Sequence, residues 1–112
     1  MTTVQSIVDN ADNQAALLAF FKGVASCDYY DGTSYQLYLD LRDGSIFENQ
    51  EVSDQSWLQR DDGSLVRIAS VSGYCDIPEE ERYTDGCSLS DYGWADWLEE
   101  IEARIAQALE SA

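Results

Sequence analysis

The stretch SYQLYLDLRDGSIFENQEV, residues 34–52, predicts a β-hairpin. Apolar and polar side chains alternate in its first half, so one face of that strand is apolar. This apolar face carries Tyr35, Leu37, Leu39 and Leu41. Asp43-Gly44 then separates this strand from a second run of strand-forming residues, and Asp-Gly between two strands is a strong signal for a tight turn. Residues 46–52 are the predicted returning strand.

The same arrangement is repeated further along the chain. Residues 56–60 and 64–71 are predicted strands, and Asp61-Asp62-Gly63 lies between them. Strands that follow one another through short turns usually pair as neighbours in a sheet. The middle of the chain therefore predicts an antiparallel meander of about four strands.

A helix is predicted before these strands. Residues 14–22 place apolar side chains at helical spacing, and Asp12 or Asn13 is the predicted capping residue. Residues 3–10 either add a separate turn or continue the same helix, and the pattern leaves both alternatives open.

A second helix is predicted from Tyr92 to about Leu109, and Ser90 or Asp91 would open it. One face of this helix is apolar and the other is acidic, so the apolar face must be buried. Burial of both helices against the apolar face of the sheet places them on the same side. The predicted fold is a single α+β domain over residues 1–112, in which N- and C-terminal helices pack on one face of the meander.

Charge is the most unusual property of the chain. It has 22 Asp and Glu residues against 6 Lys and Arg residues, no histidine, and a formal net charge of -16 in 112 residues. Hydrophobic residues make up 45% of the chain, which is enough to build a core, so this is not a disordered acidic tail. Since self-repulsion destabilises a compact state, such acidity indicates a basic partner.

The same composition argues against catalysis. Without histidine the chain lacks the commonest general base and the commonest metal ligand, and Ser–His or Cys–His pairs cannot form. Two acidic stretches that end in Asp-Gly, residues 28–32 and 61–63, lack the spacing of a calcium loop and are interpreted as turns. We therefore predict no enzyme activity, no metal and no cofactor. Six scattered cations also predict no direct binding of nucleic acid.

Cysteine usage and the absence of apolar spans suggest where the protein acts. The chain has an odd number of cysteines, Cys27, Cys75 and Cys87, and their spacing is not that of a zinc site. Reduced thiols are therefore expected, with a Cys75–Cys87 disulfide as the alternative. No apolar stretch is long enough to cross a membrane, and the first residues lack a basic signal region. A cytoplasmic monomer that does not bind membranes is expected.

Three explanations of the charge remain open. Carboxylates on strands and helices can imitate rows of phosphates, as in a DNA mimic that binds a basic surface. An immunity-type inhibitor of a nuclease would use the same charge together with aromatic contacts. A halophile's protein would be acidic over its whole surface. For binding of a partner, the candidate residues are Asp40, Asp43, Glu48, Glu51, Asp61, Asp62, Glu79, Glu80, Glu81, Asp96, Glu99, Glu100 and Glu102.

Both ends of the chain resemble a known family. The opening MTTVQSIV and the tail YGWADWLEEIEARIAQALES, residues 92–111, are similar to small acidic phage-encoded anti-CRISPR proteins directed at type I systems. The resemblance implies a phage protein that acts in the bacterial cytoplasm and binds the Cascade surveillance complex. Such inhibitors occupy basic surfaces meant for target DNA, including the site that reads the short flanking motif. Asp96, Glu99, Glu100 and Glu102 match the family's acidic helix.

The resemblance favours one of the three explanations. We expect an anti-CRISPR protein that blocks binding of target DNA to type I Cascade by acidic mimicry. An immunity-type inhibitor and a halophile's acidic protein remain the alternatives.

Overall fold

The strand predicted at residues 34–41 forms the centre of the sheet. A computed structural model describes residues 2–29, 34–50, 58, 60–72 and 75–111. Three antiparallel strands lie in these ranges: β1 at Tyr35–Asp40, β2 at Ser45–Gln50 and β3 at Leu65–Val71, in the order β2-β1-β3. Leu37 and Leu39 of this central strand are completely buried and belong to the main core cluster.

The hairpin prediction is confirmed over the described residues. Tyr38 lies opposite Phe47, and Leu39 lies opposite Ile46. The turn between β1 and β2 contains Gly44, whose φ of 75° is a left-handed conformation that glycine adopts without steric cost. The Gly44 N–H donates to the Asp40 carbonyl oxygen at 2.7 Å and so closes the turn.

The meander prediction is wrong in the placement of β3. This strand pairs antiparallel with β1, with Leu37 opposite Ala69, so β2 and β3 run parallel on either side of β1. Strands two places apart in a sheet are separated by about 10 Å, a distance that the 14 residues at 51–64 can cross. The predicted strand at residues 56–60 falls largely outside the described residues.

The N-terminal helical region consists of two helices. α1 spans Val4–Asp9 and α2 spans Ala11–Ser26. Asn10 has an extended backbone between them, and its side-chain oxygen accepts a hydrogen bond from the Asn13 N–H at 3.1 Å. Asn10 is therefore the cap of α2, and the prediction of Asp12 or Asn13 as the cap is wrong.

Asn13 instead connects three elements from inside the core. Its side-chain amide donates to the carbonyl oxygens of Ile7 at 2.9 Å and Gly44 at 2.8 Å. Its side-chain oxygen accepts from the Ile46 N–H at 2.9 Å. Because a buried amide is costly unless its hydrogen bonds are made, this residue fixes α1 and α2 to the hairpin.

The C-terminal helix, α3, spans Trp94–Ser111 and so begins two residues later than predicted. Gly93, with a φ of 82°, separates it from a one-turn 3-10 helix at Leu89–Tyr92, which contains both of the residues predicted to open α3. Another one-turn 3-10 helix is formed by Glu79–Glu81.

Both long helices cover the same face of the sheet, as predicted. Side chains of α2, α3 and the sheet form one buried cluster, which includes Leu17, Phe20, Leu37, Leu39, Ile68, Ile101 and Ile105. α2 packs mainly on β2, and α3 packs on β3. The helices therefore present their polar faces outward, away from a shared core.

The prediction of reduced thiols is wrong for Cys27 and Cys75. A disulfide joins Cys27, at the C-terminal end of α2, to Cys75, with the two Cα atoms 5.6 Å apart. Cys87 is a free and exposed thiol, so the alternative Cys75–Cys87 bond is wrong as well. The partners are 48 residues apart in sequence, so their contact depends on the tertiary fold.

Candidate functional site

Carboxylates are concentrated in residues 76–102, which we call the acidic segment. It holds ten acidic residues and a single cation, Arg82. Nine of the ten acidic side chains are exposed, and Glu102 is partly buried. They are Asp76, Glu79, Glu80, Glu81, Asp85, Asp91, Asp96, Glu99, Glu100 and Glu102.

The irregular half of the acidic segment is attached to α2. The Cys27–Cys75 disulfide lies directly before it, and the Tyr83 N–H donates to the Ala25 carbonyl oxygen at 2.9 Å. Tyr83 is buried, and its ring meets that of Tyr92 edge to face with centroids 5.5 Å apart. The carboxylates on this half are therefore carried by a backbone with defined anchors.

The helical half of the acidic segment is anchored by aromatic residues. Trp94 and Trp97 stack on each other at 5.6 Å, and both rings contact Phe21 of α2, at 5.2 and 5.3 Å. Residues three and four apart lie on the same face of a helix. Asp96, Glu99 and Glu100 consequently form an exposed row on the outer face of α3.

The carboxylates of the acidic segment have almost no partners within the protein. Among the described residues, Glu100 is the one member of the set with an ion pair, to Arg104 at 3.2 Å. The guanidinium of Arg82 donates to the Ile77 carbonyl oxygen at 3.0 Å rather than to a neighbouring carboxylate. These negative charges are therefore available to a partner.

Asp40 is not available in this way, because it is buried and paired. Its carboxylate lies 3.2 Å from the Arg42 guanidinium and 3.0 Å from that of Arg60. Hydrogen bonds from Arg42 are the main reason that the pKa of Asp40 falls from its ordinary value of 3.8 to about 2. Asp40 was predicted to contact a partner, but here it joins the hairpin to the residues before β3.

Asp43 and Asp62 occupy two matching Asp-Gly-Ser turns at the same end of the sheet. The Asp43 carboxylate accepts a hydrogen bond from the Ser45 N–H at 2.9 Å, and Asp62 accepts from the Ser64 N–H at 3.0 Å. Bonds from these serines hold the pKa of each carboxyl below its ordinary value. We call Asp40, Arg42, Asp43, Arg60 and Asp62 the turn cluster.

The other predicted residues of the hairpins are not brought together with the acidic segment by any contact in the described residues. Glu48 on β2 accepts a hydrogen bond from the Tyr29 hydroxyl at 2.7 Å. Burial and this bond raise the pKa of Tyr29 well above its ordinary range. Asp61 is exposed in the turn before β3, and Glu51 lies outside the described residues.

Sequence reasoning missed two features of this surface. Asp76, Asp85 and Asp91 belong to the acidic segment, and their shared position in one irregular region could have indicated it. The second feature is the pairing of arginines with carboxylates at the turns. Arg60 and Asp40 are 20 residues apart, so no local pattern signals their contact.

No group of metal-ligating side chains occurs among the described residues. In the same ranges, none of the helices has both the length and the apolar character needed to cross a membrane. Comparisons with known proteins found no match among family models, curated proteins or solved structures. The site is therefore interpreted from its own geometry and charge.

Proposed function

We propose that the protein is an anti-CRISPR protein that inhibits a type I Cascade complex by acidic DNA mimicry and so blocks target DNA binding. The observation that supports this most directly is the acidic segment, in which nine exposed carboxylates stand on an anchored backbone and one has an ion pair. The stretch that resembles such inhibitors, residues 92–111, overlaps this segment.

The proposed mechanism is electrostatic. A DNA-binding surface uses Lys and Arg side chains to neutralise phosphates and releases counterions on binding, so its affinity falls steeply with salt. Carboxylates that already point into solvent from an ordered backbone meet such a surface with little cost in conformational freedom. The partner is thus the basic DNA-binding surface of Cascade, while the protein itself binds no nucleic acid and performs no chemistry.

The proposed site is the acidic segment rather than every acidic residue in the chain. Glu79, Glu80 and Glu81 provide one cluster, and the row on α3 provides a second. Asp40 is left out because its charge is neutralised by two arginines. Asp43 and Asp62 contribute negative charge near the hairpin turns, but their first role is to close those turns.

The test measures competition with DNA. A type I Cascade is titrated with fluorescent target duplex in the presence of the protein, at several salt concentrations. We expect inhibition that weakens as salt rises, and a further loss of about tenfold or more for a variant with Asp96→Asn, Glu99→Gln and Glu100→Gln. A salt-independent inhibition constant would contradict mimicry.

A charge-matched control separates the site from general acidity. Asp9→Asn, Asp12→Asn and Glu110→Gln together remove three charges outside the acidic segment. This control is expected to retain most of the inhibition. Equal losses for both triple variants would show that total charge, rather than the acidic segment, carries the effect.

Circular dichroism in dilute buffer is recorded before these assays. A halophile's protein would be unfolded in that buffer, whereas a folded spectrum would exclude that explanation of the charge.

The aromatic residues favour a second candidate function, an immunity-type inhibitor of a nuclease. Tyr92, Trp94 and Trp97 are half-buried within the acidic segment, and aromatic residues are typical hot spots of protein interfaces. That function predicts capture of one nuclease in a pull-down and the largest losses on Tyr92→Ala. Capture of Cascade subunits supports the first proposal.

The proposed location is the cytoplasm of a phage-infected bacterium, where the Cys27–Cys75 disulfide would not be expected to persist. Bacterial cytoplasm keeps most thiols reduced, so Cys27 and Cys75 would be thiols there. The remaining anchors, at Tyr83, Trp94 and Trp97, would then have to hold the acidic segment. The competition assay is therefore run with and without reducing agent, and inhibition is expected in both conditions.

A further inference from the structure

Half of the cations in the chain line one cavity. We call it the arginine groove: a space of about 780 Å³ formed by the hairpin turn, β3 and α3. Arg42 of the turn, Arg67 of β3 and Arg104 of α3 are among its lining residues, and Asp62 is the one acidic residue in the lining. The lining residues themselves carry a formal charge of +2, although the chain as a whole carries -16, and two of the three arginines are paired with carboxylates beside the groove, Arg42 with Asp40 and Arg104 with Glu100.

The three arginines retain donors for a ligand. Arg42 uses Nε and one terminal nitrogen on Asp40, at 3.3 and 3.2 Å, and Arg104 uses one nitrogen on Glu100 at 3.2 Å. The Arg67 side chain is exposed and forms no hydrogen bond or ion pair with any described residue. Since a guanidinium carries five N–H donors, each of the three has several left.

The rest of the arginine groove suits a small molecule. Its size lies within the range of about 300–1,000 Å³ that is typical of small-molecule sites. Leu41, Val66 and Ala108 are apolar members of the lining, and Ser64 and Ser111 are polar ones. An anionic group and an uncharged body can therefore both be accommodated.

We propose that the arginine groove binds a small molecule that carries a phosphate group. A planar carboxylate is satisfied by one bidentate guanidinium, whereas the oxygens of a tetrahedral phosphate can pair with cations that approach from several directions. Arginines from three separate elements fit the second case. This site is independent of the proposed DNA mimicry, which uses the acidic segment.

The test is an NMR titration of the full chain with pyrophosphate at constant ionic strength. We expect the largest amide shifts at residues 41–42, 62–67 and 104–111. Arg67→Gln is expected to weaken binding about tenfold, because it removes a charge-assisted contact. Lys22→Gln is the matched control, because it removes the same charge outside the groove and is expected to leave binding unchanged.

Three results would overturn the proposal. The first is shifts that are absent or scattered over the surface, and the second is equal affinity of Arg67→Gln and the unchanged chain. The third is malonate binding as tightly as pyrophosphate, which would rule out selection of phosphate. Arg104→Gln is a second groove variant, and it is also expected to bind pyrophosphate more weakly than the unchanged chain. The NMR spectrum of each variant without ligand shows whether the fold is retained.

Discussion

The turn cluster and the acidic segment use the same side chains in opposite ways. In the turn cluster every carboxylate has a partner: Asp40 is held by two arginines, and Asp43 and Asp62 are held by serine N–H groups. In the acidic segment Glu100 alone has an ion pair among the described residues. The number of carboxylates in a region therefore does not reveal their role, whereas their pairing does. Paired carboxylates hold the fold, and unpaired ones are available to a partner.

The largest effect is expected from the disulfide that attaches the acidic segment. Replacing Cys27 and Cys75 with serine should lower the free energy of unfolding by about 4 kcal/mol on the chain-entropy account, because the bond closes a long loop in the unfolded chain. The separation of the two cysteines is 48 residues. Urea denaturation of the double variant measures the loss.

Cys87→Ser is the control for this variant, since Cys87 is free and exposed. Its stability should stay within about 0.5 kcal/mol of the unchanged chain. If the Cys27/Cys75 variant has the same urea midpoint as this control, the disulfide adds no measurable stability to the fold.

A smaller loss is expected when the turn cluster is broken. Asp40→Asn removes the charge that faces Arg42 and Arg60 while keeping the size of the side chain. The free energy of unfolding should fall by about 2 kcal/mol, because two guanidinium groups lose a nearly buried anion. Glu99→Gln removes an exposed and unpaired carboxylate and should change stability by less than about 0.5 kcal/mol. Equal losses for the two variants would contradict the comparison.

Acid should remove part of the same stabilisation. The pKa of Asp40 in the folded protein is about 2, below the ordinary 3.8, so the unfolded chain binds this proton more readily. Its contribution is therefore complete above about pH 5 and is lost as the pH falls from about 4 to about 2. Urea midpoints measured across this range should fall less steeply for Asp40→Asn than for the unchanged chain. Parallel slopes would show that Asp40 is not the titrating group.

Local patterns predicted those parts of the fold that depend on neighbouring residues. Alternation over residues 34–41 and the Asp43-Gly44 turn predicted the first hairpin, and helical spacing predicted α2 and α3. The pairing of β3 with β1 was not predicted, because it depends on the arrangement of strands that are far apart in sequence. The Cys27–Cys75 bond depends on that same global arrangement.

The candidate site was predicted in part for a similar reason. Exposure of Glu79, Glu80 and Glu81 follows from a short polar run beside the chain's single proline. The alternation rule placed Asp40 on the polar face of its strand, but it could not show that Arg60 lies 3.0 Å away. Distinguishing a paired from an unpaired carboxylate needs contacts between distant residues, which no local pattern contains.

The smallest effect on stability is expected in the acidic segment, and it tests the comparison most directly. Glu79→Gln, Glu80→Gln and Glu81→Gln together remove three exposed carboxylates that have no hydrogen bond or ion pair among the described residues. The free energy of unfolding should stay within about 0.5 kcal/mol or rise slightly, because self-repulsion decreases. Asp43→Ala with Asp62→Ala removes only two charges but should lower stability more than the triple variant does, since both side chains lose the oxygen that accepts a backbone hydrogen bond. If the triple variant were the less stable of the two in urea, the three glutamates would stabilise the folded state. The acidic segment could then not be interpreted as a surface whose charges are available only to a partner.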